Sequence, residues 1–276
     1  MRRRFLQLDV FTNIPLHGNP LAVVVDSDGL SAEDMQRFAN WTNLSETTFL
    51  LPPTNPLADY RVRIFTPDEE LPFAGHPTLG SACAWLAHGG VSRKLDVIVQ
   101  ECGVGLVEVK RDGHALAFAA PPLLRGGPVD ESLLIEAAAS LGIARSAIVD
   151  AAWIDNGPGF FGLLLGSADD VKAIKAGPMN LKVGIVGPYP AGSEFAYEVR
   201  VFYSSGGATF EDPVTGSVNA SIAQWLIGAG RFTPPYRASQ GTVLGRAGNV
   251  HIASDASGAL WVGGTVVSCV EGFVEL

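Results

Sequence analysis

YRVRIFTPDEELPFAGHPTLGSACAWL, residues Tyr60–Leu86, decides the reading of the chain. Tyr60–Phe65 alternates apolar and polar residues and is rich in β-formers, the pattern of a half-buried strand. Pro67-Asp68-Glu69-Glu70 reads as a turn. Gly75-His76-Pro77 opens a helix, with Pro77 suited to the first helical position, where a missing N–H costs nothing. Leu79, Ala82, Cys83, Leu86 and Ala87 follow at the spacing of one helix face. Gly80, Ser81 and Ala84 keep the other sides small, so this helix is expected deep inside its domain.

The stretch occurs twice. Tyr197–Phe202 (YEVRVF) repeats the strand 137 positions later, and Asp212-Pro213-Val214-Thr215-Gly216-Ser217 resembles His76-Pro77-Thr78-Leu79-Gly80-Ser81. Trp225-Leu226 echoes Trp85-Leu86, Ser167–Val171 echoes Ser31–Met35, and Asn180-Leu181 echoes Asn43-Leu44. Five matches in one order at nearly one offset imply two similar halves, and the period is far too long for a solenoid. The Pro121-Pro122 and Gly126-Gly127-Pro128 segment is the linker candidate, which divides the chain into 1–125 and 126–276. Each half reads as a strongly curved sheet wrapped on one helix.

Working outward, Phe5–Phe11 and Leu21–Val25 read as strands around a His17-Gly18-Asn19-Pro20 turn. Ser31 begins a helix through a capping-box-like Ser-x-x-Asp, with Met35, Phe38 and Ala39 inward. Asp112-Gly113 marks a hairpin. Asp130–Leu141 reads as a helix stopped by Gly142. In the second half, strands are expected near 152–155, 161–165, 183–186, 196–203, 242–246, 249–253, 259–262 and 266–270.

Of 276 residues, 47% are apolar and 17% charged, the balance of a globular chain long enough for two cores. A net charge of −9 argues against a nucleic-acid or anionic-membrane partner, both of which call for a basic face. Arg2-Arg3-Arg4 is the only basic run and reads as a solvated terminus. No apolar run reaches the length of a bilayer span. Cys83, Cys102 and Cys269 are too few and too scattered for a disulfide framework or a zinc site. The expectation is a reduced, cytoplasmic protein.

Three residues stand out chemically. His76 and Asp212 each precede a proline at the mouth of a central helix. Asp212-Pro213 also fits an ordinary N-cap and N1 pair, whereas histidine is a poor cap. Two pseudo-symmetric halves would bring both mouths to one cleft, where N–H groups at Gly80-Ser81 and Gly216-Ser217 and two helix dipoles favour a carboxylate. The same small residues also suit close helix packing. Glu46 lies in Leu44-Ser45-Glu46-Thr47-Thr48-Phe49, and its second-half counterpart by the Asn-Leu register is Val183. One carboxylate on one side of a symmetric scaffold suits a single acid/base residue whose surroundings raise its pKa toward neutrality. An exposed loop charge is the plainer reading. No phosphate-binding glycine loop, nucleophile elbow or metal-spaced cluster is present, and nothing calls for a cofactor or a metal.

At this point the sequence resembles the phenazine-biosynthesis PhzF-like proteins, nearly end to end. The marks are Asp9-Val10-Phe11-Thr12, Gly18–Val24, Leu44–Phe49, Arg63-Ile64-Phe65-Thr66-Pro67, Glu70–Gly80 and Glu211–Ser217. The resemblance implies the α+β fold of diaminopimelate epimerase: two pseudo-symmetric domains, each a mostly antiparallel, barrel-like sheet around a central helix, often paired as a homodimer. It implies a cofactor-independent isomerase acting on a small anionic metabolite, in the characterised case an allylic proton shift in a dihydro-hydroxyanthranilic acid. The family's acid/base glutamate falls on Glu46, its substrate-binding histidine on His76 and its aspartate on Asp212. Asn19, Ser45, Gly75, Thr215, Gly216 and Ser217 fall at substrate-binding places. The related epimerases carry opposed cysteines at the helix mouths. Here Cys83 stands seven residues past His76, which argues against two-base epimerisation. The rival readings are a racemase or epimerase on this scaffold and a non-catalytic binding protein.

Overall fold

The computed structural model describes residues 1–205 and 207–276, and its elements follow one plan twice. The first run is β1 (Arg2–Val10), β2 (Asn19–Val24), α1 (Ala32–Thr42), β3 (Glu46–Leu51), β4 (Tyr60–Phe65), β5 (Glu70–Leu71), α2 (Gly75–Ala87), β6 (Val97–Cys102), β7 (Gly105–Asp112) and β8 (Ala115–Ala119). The second is α3 (Glu131–Leu141), β9 (Asp150–Trp153), β10 (Phe161–Leu164), α4 (Ala168–Ala173), β11 (Val183–Pro188), β12 (Tyr197–Ser205), β13 (Ala208–Asp212), α5 (Gly216–Gly228), β14 (Tyr236–Gln240), β15 (Gly248–Ser254) and β16 (Leu260–Glu275).

The chain divides into two compact units, Met1–Ala119 with Gly263–Leu276, and Ala120–Val262. In the first, β1, β2, β3, β4, β6, β7, β8 and β16 follow one another in hydrogen-bonded order, and β16 pairs back onto β1 to close a barrel. Most neighbours are antiparallel. β2 and β3 are parallel across α1, and β4 and β6 are parallel across α2. Helix α2 lies inside the ring, touching β1–β4 and β6–β8, and nine of its thirteen residues are buried. Its small residues make this fit. A side chain at Gly80 would meet Leu21 Cδ2 at 2.4 Å. Helix α1 covers the outside, with Met35, Phe38 and Ala39 packed among Val24, Phe49 and Phe65. Ser31 caps it by accepting from the Asp34 amide, as its sequence indicates.

The second unit repeats these crossovers: β10 and β11 are parallel across α4, and β12 and β14 are parallel across α5. Its path runs β15-β14-β12-β11-β10-β9. Helices α3 and α4 contribute Leu134, Ala137, Ala138, Leu141 and Val171 to a core with Phe161, Leu163, Val183 and Ile185. Gly142 ends α3 in the left-handed conformation.

Several expectations are corrected. β16 is one strand, and it joins the first unit from Gly263 onward instead of ending the second. Gly263 does not break it, because that glycine lies where a Cβ would meet the Leu116 carbonyl oxygen at 2.4 Å. Thr242–Leu244 is a 3₁₀ turn between Gly241 and Gly245, both left-handed, and not a strand. The strand there is β14, whose YRASQ sequence carries little apolar pattern. Helix α2 starts at Gly75, two residues before Pro77, so Pro77 is its third residue. Helix α5 starts at Gly216 with Thr215 as N-cap, so Asp212 is not a cap. Arg2-Arg3-Arg4 is built into β1. Arg3 is buried and donates to the Asp26 carbonyl, while Arg2 lies 3.9 Å over the Phe273 ring.

Candidate active site

In the first unit the starts of β2, β3 and α2 converge. Asn19 opens β2, Glu46 opens β3 and His76 is the second residue of α2. The parallel register that sets Leu21 beside Glu46 aligns the two strand starts. The alternating pattern leading into Phe49 turns Glu46 toward the helix. His76 Nε2 stands 3.4 Å from Glu46 Oε2, and His76 Nδ1 stands 3.5 Å from Asn19 Nδ2. Asn19 and His76 are buried, and the Glu46 side chain is largely covered. Ser45 and Gly75 are the chain neighbours of Glu46 and His76. The structure thus brings five of the candidates together.

Burial pushes the His76 imidazole down to about 3, against a hydrogen bond to the Pro20 carbonyl that favours the charged form. The positive end of α2 acts in the same direction as burial. His76 is therefore neutral near pH 7. One nitrogen of a neutral ring can donate to a carboxylate or accept from a carboxylic acid, according to tautomer. Cys83 is half-buried on α2, and burial pushes its thiol up, away from thiolate chemistry.

The mouth of α2 is fixed by a buried polar chain that the sequence reading missed. Tyr60 OH donates to Gln100 Oε1 at 2.7 Å, Gln100 Nε2 donates to Thr78 Oγ1 at 3.0 Å, and Thr78 Oγ1 donates to the Ala74 carbonyl at 2.9 Å. Gly80 and Ser81 lie beyond the first turn, past the positions whose N–H groups lack an intrahelical partner. The amides able to meet an anion are instead those of Gly75 and His76.

In the second unit Asp212 ends β13, Thr215 caps α5, and Gly216 and Ser217 are its first two residues. Thr215 Oγ1 donates to Asp212 Oδ2. Gln240 binds this segment at several points, and Asn156 Nδ2 donates to the Ser217 carbonyl at 3.0 Å. Asn219 Nδ2 reaches the Thr215 carbonyl one turn back at 3.0 Å, as Thr78 reaches Ala74. Gln100 and Gln240 recur 140 positions apart, a signal present in the sequence.

The repeat shifts register between strand and helix. Tyr60 matches Tyr197 at 137 positions, but the helix starts Gly75 and Gly216 are 141 apart, because the β12–β13 hairpin is four residues longer, Val201 pairing Asp212 where Ile64 pairs Leu71. A bidentate ion pair confirms the shift. Arg63 grips Glu70, and Arg200 grips Glu211 in the same way. The counterpart of His76 is then Ser217, and that of Asp212 is Leu71, so the sequence pairing of His76 with Asp212 is corrected. The strand pairing also shifts the counterpart of Glu46. Thr47 faces Phe65 as Val183 faces Phe202, so Glu46 corresponds to the exposed Lys182, and the sequence pairing of Glu46 with Val183 is corrected by one position.

A closed barrel around a small-residue helix is the diaminopimelate epimerase-like fold. Residues 8–272 match the family described as phenazine biosynthesis-like protein, and the chain belongs to that family. It is 37% identical over 293 residues to antisense-enhancing sequence 1 of Schizosaccharomyces pombe, covering 97% of each chain. It is 34% identical over 250 residues to the trans-2,3-dihydro-3-hydroxyanthranilate isomerase of Pseudomonas fluorescens, covering 88% of this chain and 87% of that one. The crystal structure of a PhzF-family phenazine biosynthesis protein from Bacillus anthracis superposes with a TM-score of 0.84 at 23% identity, over the full length of both. Among the described residues no helix is long and apolar enough to cross a membrane.

Proposed function

We propose that this protein is an isomerase that moves a proton within a small carboxylate-bearing ring compound of the dihydro-hydroxyanthranilate kind, with Glu46 as the single acid/base. The observation that carries this reading is the Glu46 carboxyl 3.4 Å from a buried, neutral imidazole. Glu46 takes the proton from a carbon beside the double bond, and the C–H electron pair becomes part of the shifted double bond. The protonated Glu46 then returns the proton to the far carbon of the allyl unit. His76 holds the carboxyl in place and binds the substrate's polar groups in either protonation state of Glu46. The amides of Gly75 and His76, at the positive end of α2, hold a substrate carboxylate, with Asn19 and Ser45 beside them. Asp212, Thr215, Gly216 and Ser217 are the second unit's proposed contribution to substrate binding. The counterparts of Glu46 and His76 are Lys182, whose ammonium donates to the Pro158 carbonyl at 2.9 Å, and Ser217, so neither repeats the acid or the imidazole, which favours one-base chemistry over two-base racemisation. The same reading carries a homodimer, which sedimentation equilibrium tests.

The test is incubation with trans-2,3-dihydro-3-hydroxyanthranilate in D₂O, followed by NMR. The double bond is expected to move as deuterium enters one carbon. Glu46→Gln is expected to cut kcat by about 10²–10⁴ while leaving affinity nearly intact. Turnover by Glu46→Gln at the wild-type rate would sink the mechanism. Deuterium at a stereocentre with no double-bond shift would establish the racemase instead.

A further inference from the structure

Gln240, on β14, has all four hydrogen-bonding positions of its side-chain amide engaged by one short segment. Its Oε1 accepts from the Thr215 amide at 3.0 Å and from Asn219 Nδ2 at 2.7 Å. Its Nε2 donates to the Asp212 carbonyl at 3.0 Å and to Thr215 Oγ1 at 3.0 Å. Two of these partners are main-chain groups of fixed polarity, a donor at Thr215 and an acceptor at Asp212. A flipped amide would set N–H against N–H and oxygen against oxygen, so the orientation of Gln240 is determined. Gln240 is fully buried, which makes any mismatch costly.

This orientation has a chemical consequence. Thr215 Oγ1 has one hydrogen to give. Because Nε2 donates to Oγ1, the hydroxyl accepts there, and its own hydrogen goes to Asp212 Oδ2. A chain of donors therefore runs Gln240 to Thr215 to Asp212, each group polarising the next. We propose that Gln240 is a positioning residue for substrate binding: its amide sets the direction of this chain and holds the Asp212 carboxylate as an acceptor in a single orientation. This rests on the proposal that Asp212 binds substrate. Thr215, given above as a substrate contact, then acts through its hydroxyl on Asp212.

Gln240→Glu keeps the shape of the side chain and replaces the two donors by an acceptor. The Thr215 hydroxyl is then expected to turn to the introduced carboxylate and leave Asp212. The full chain with ¹³C-labelled aspartate is titrated by NMR, with the Asp212 carboxyl signal identified by its loss in Asp212→Asn. In Gln240→Glu and in Thr215→Val that signal is expected to titrate at higher pH than in the wild type, because a hydrogen bond to the charged form is gone. Should Gln240→Glu fail to fold, Thr215→Val decides the point alone. An unmoved titration in the folded variants overturns the proposal. In the D₂O assay, Gln240→Glu is expected to lose about 10²-fold in kcat/KM, as for a displaced binding group. It should recover part of that loss as the pH falls and the introduced carboxyl regains a proton to donate. A flat pH profile of the loss overturns the positioning role and leaves Gln240 a packing residue. Wild-type activity in Asp212→Asn would sink the substrate role of Asp212 itself, while the titration still decides the chain.

Discussion

The two bidentate ion pairs offer a controlled comparison, because the fold places the same contact in two environments. Arg63 and Glu70 meet at 2.7 and 2.6 Å with side chains 27% and 42% exposed. Arg200 and Glu211 meet at 2.8 and 2.7 Å with side chains only 5% and 11% exposed. Arg200 has a second task. Its Nη1 donates to the Ile174 carbonyl at 2.7 Å and to the Val171 carbonyl at 3.3 Å, closing the C-terminal end of α4. Arg200→Met leaves the Glu211 charge uncompensated and those carbonyls without their donor. The expected cost is about 3–5 kcal/mol, the range for breaking a buried pair. Arg63→Met removes a pair that water and salt already screen, and the expected cost is about 0–1 kcal/mol. Urea unfolding of both variants, with Glu70→Gln and Glu211→Gln to complete two double-mutant cycles, measures each coupling. Salt at about 1 M should erase the Arg63 coupling and leave most of the Arg200 coupling, because screening reaches exposed pairs first. Equal costs at the two positions, or a cost below about 1 kcal/mol for Arg200→Met, would refute the claim that burial separates them.

Two further outcomes are expected. Burial lowers the folded pKa of His76 to about 3 from an ordinary 6.5, so the unfolded chain binds more protons in that window. Stability from this group is then complete above about pH 6.5 and is lost as the pH falls toward 3, amounting to about 2 kcal/mol near pH 5. His76→Asn should flatten that acid-side slope in urea titrations, and a folded-state ring titration near 6.5 by NMR would show the reasoning wrong. Gly80→Ala places a methyl 2.4 Å from Leu21 Cδ2, so a loss of roughly 1–3 kcal/mol in stability is expected. An unchanged thermal midpoint would mean that the barrel wall has room there.

Much of this was legible in the chain because local chemistry and global plan agree. Ser31, Met35, Phe38 and Ala39 announce α1 by capping and period, and Gly142 announces the end of α3. The one-sidedness of Glu46 survives, although its counterpart by strand pairing is Lys182, one position before the Val183 that the Asn-Leu match indicates. The failures share a cause, which is that tertiary contacts override local signals. His76-Pro77 and Asp212-Pro213 look alike, but the longer β12–β13 hairpin slides the second helix along the sequence, a slide recorded only in the fainter recurrence of Glu70-x-Pro72-x-x-Gly75 as Glu211-x-Pro213-x-x-Gly216. Gln240 lies in a stretch too polar to read as a strand, because its amide bonds a loop instead of packing a core. The glycine at 263 reads as a break, and it is a place where strand meets strand too closely for a side chain.

The return of β16 to the first unit bears on how the protein is made. β1 pairs with β16 from Arg2–Glu275 to Val10–Val266, a contact between segments more than 250 positions apart. The second unit, Ala120–Val262, is continuous and is synthesised in full before most of β16 emerges. At about 5–20 residues per second, the ribosome needs roughly seven to thirty seconds to deliver it. Throughout that interval the first barrel lacks its closing strand, and β1 and β8 present bare edges of the kind that seed association between chains. The charges of Arg2 and Arg4, spaced along that waiting edge, are the sort of residue that discourages such pairing. The second unit can therefore complete its fold while the first, begun earlier, is still open.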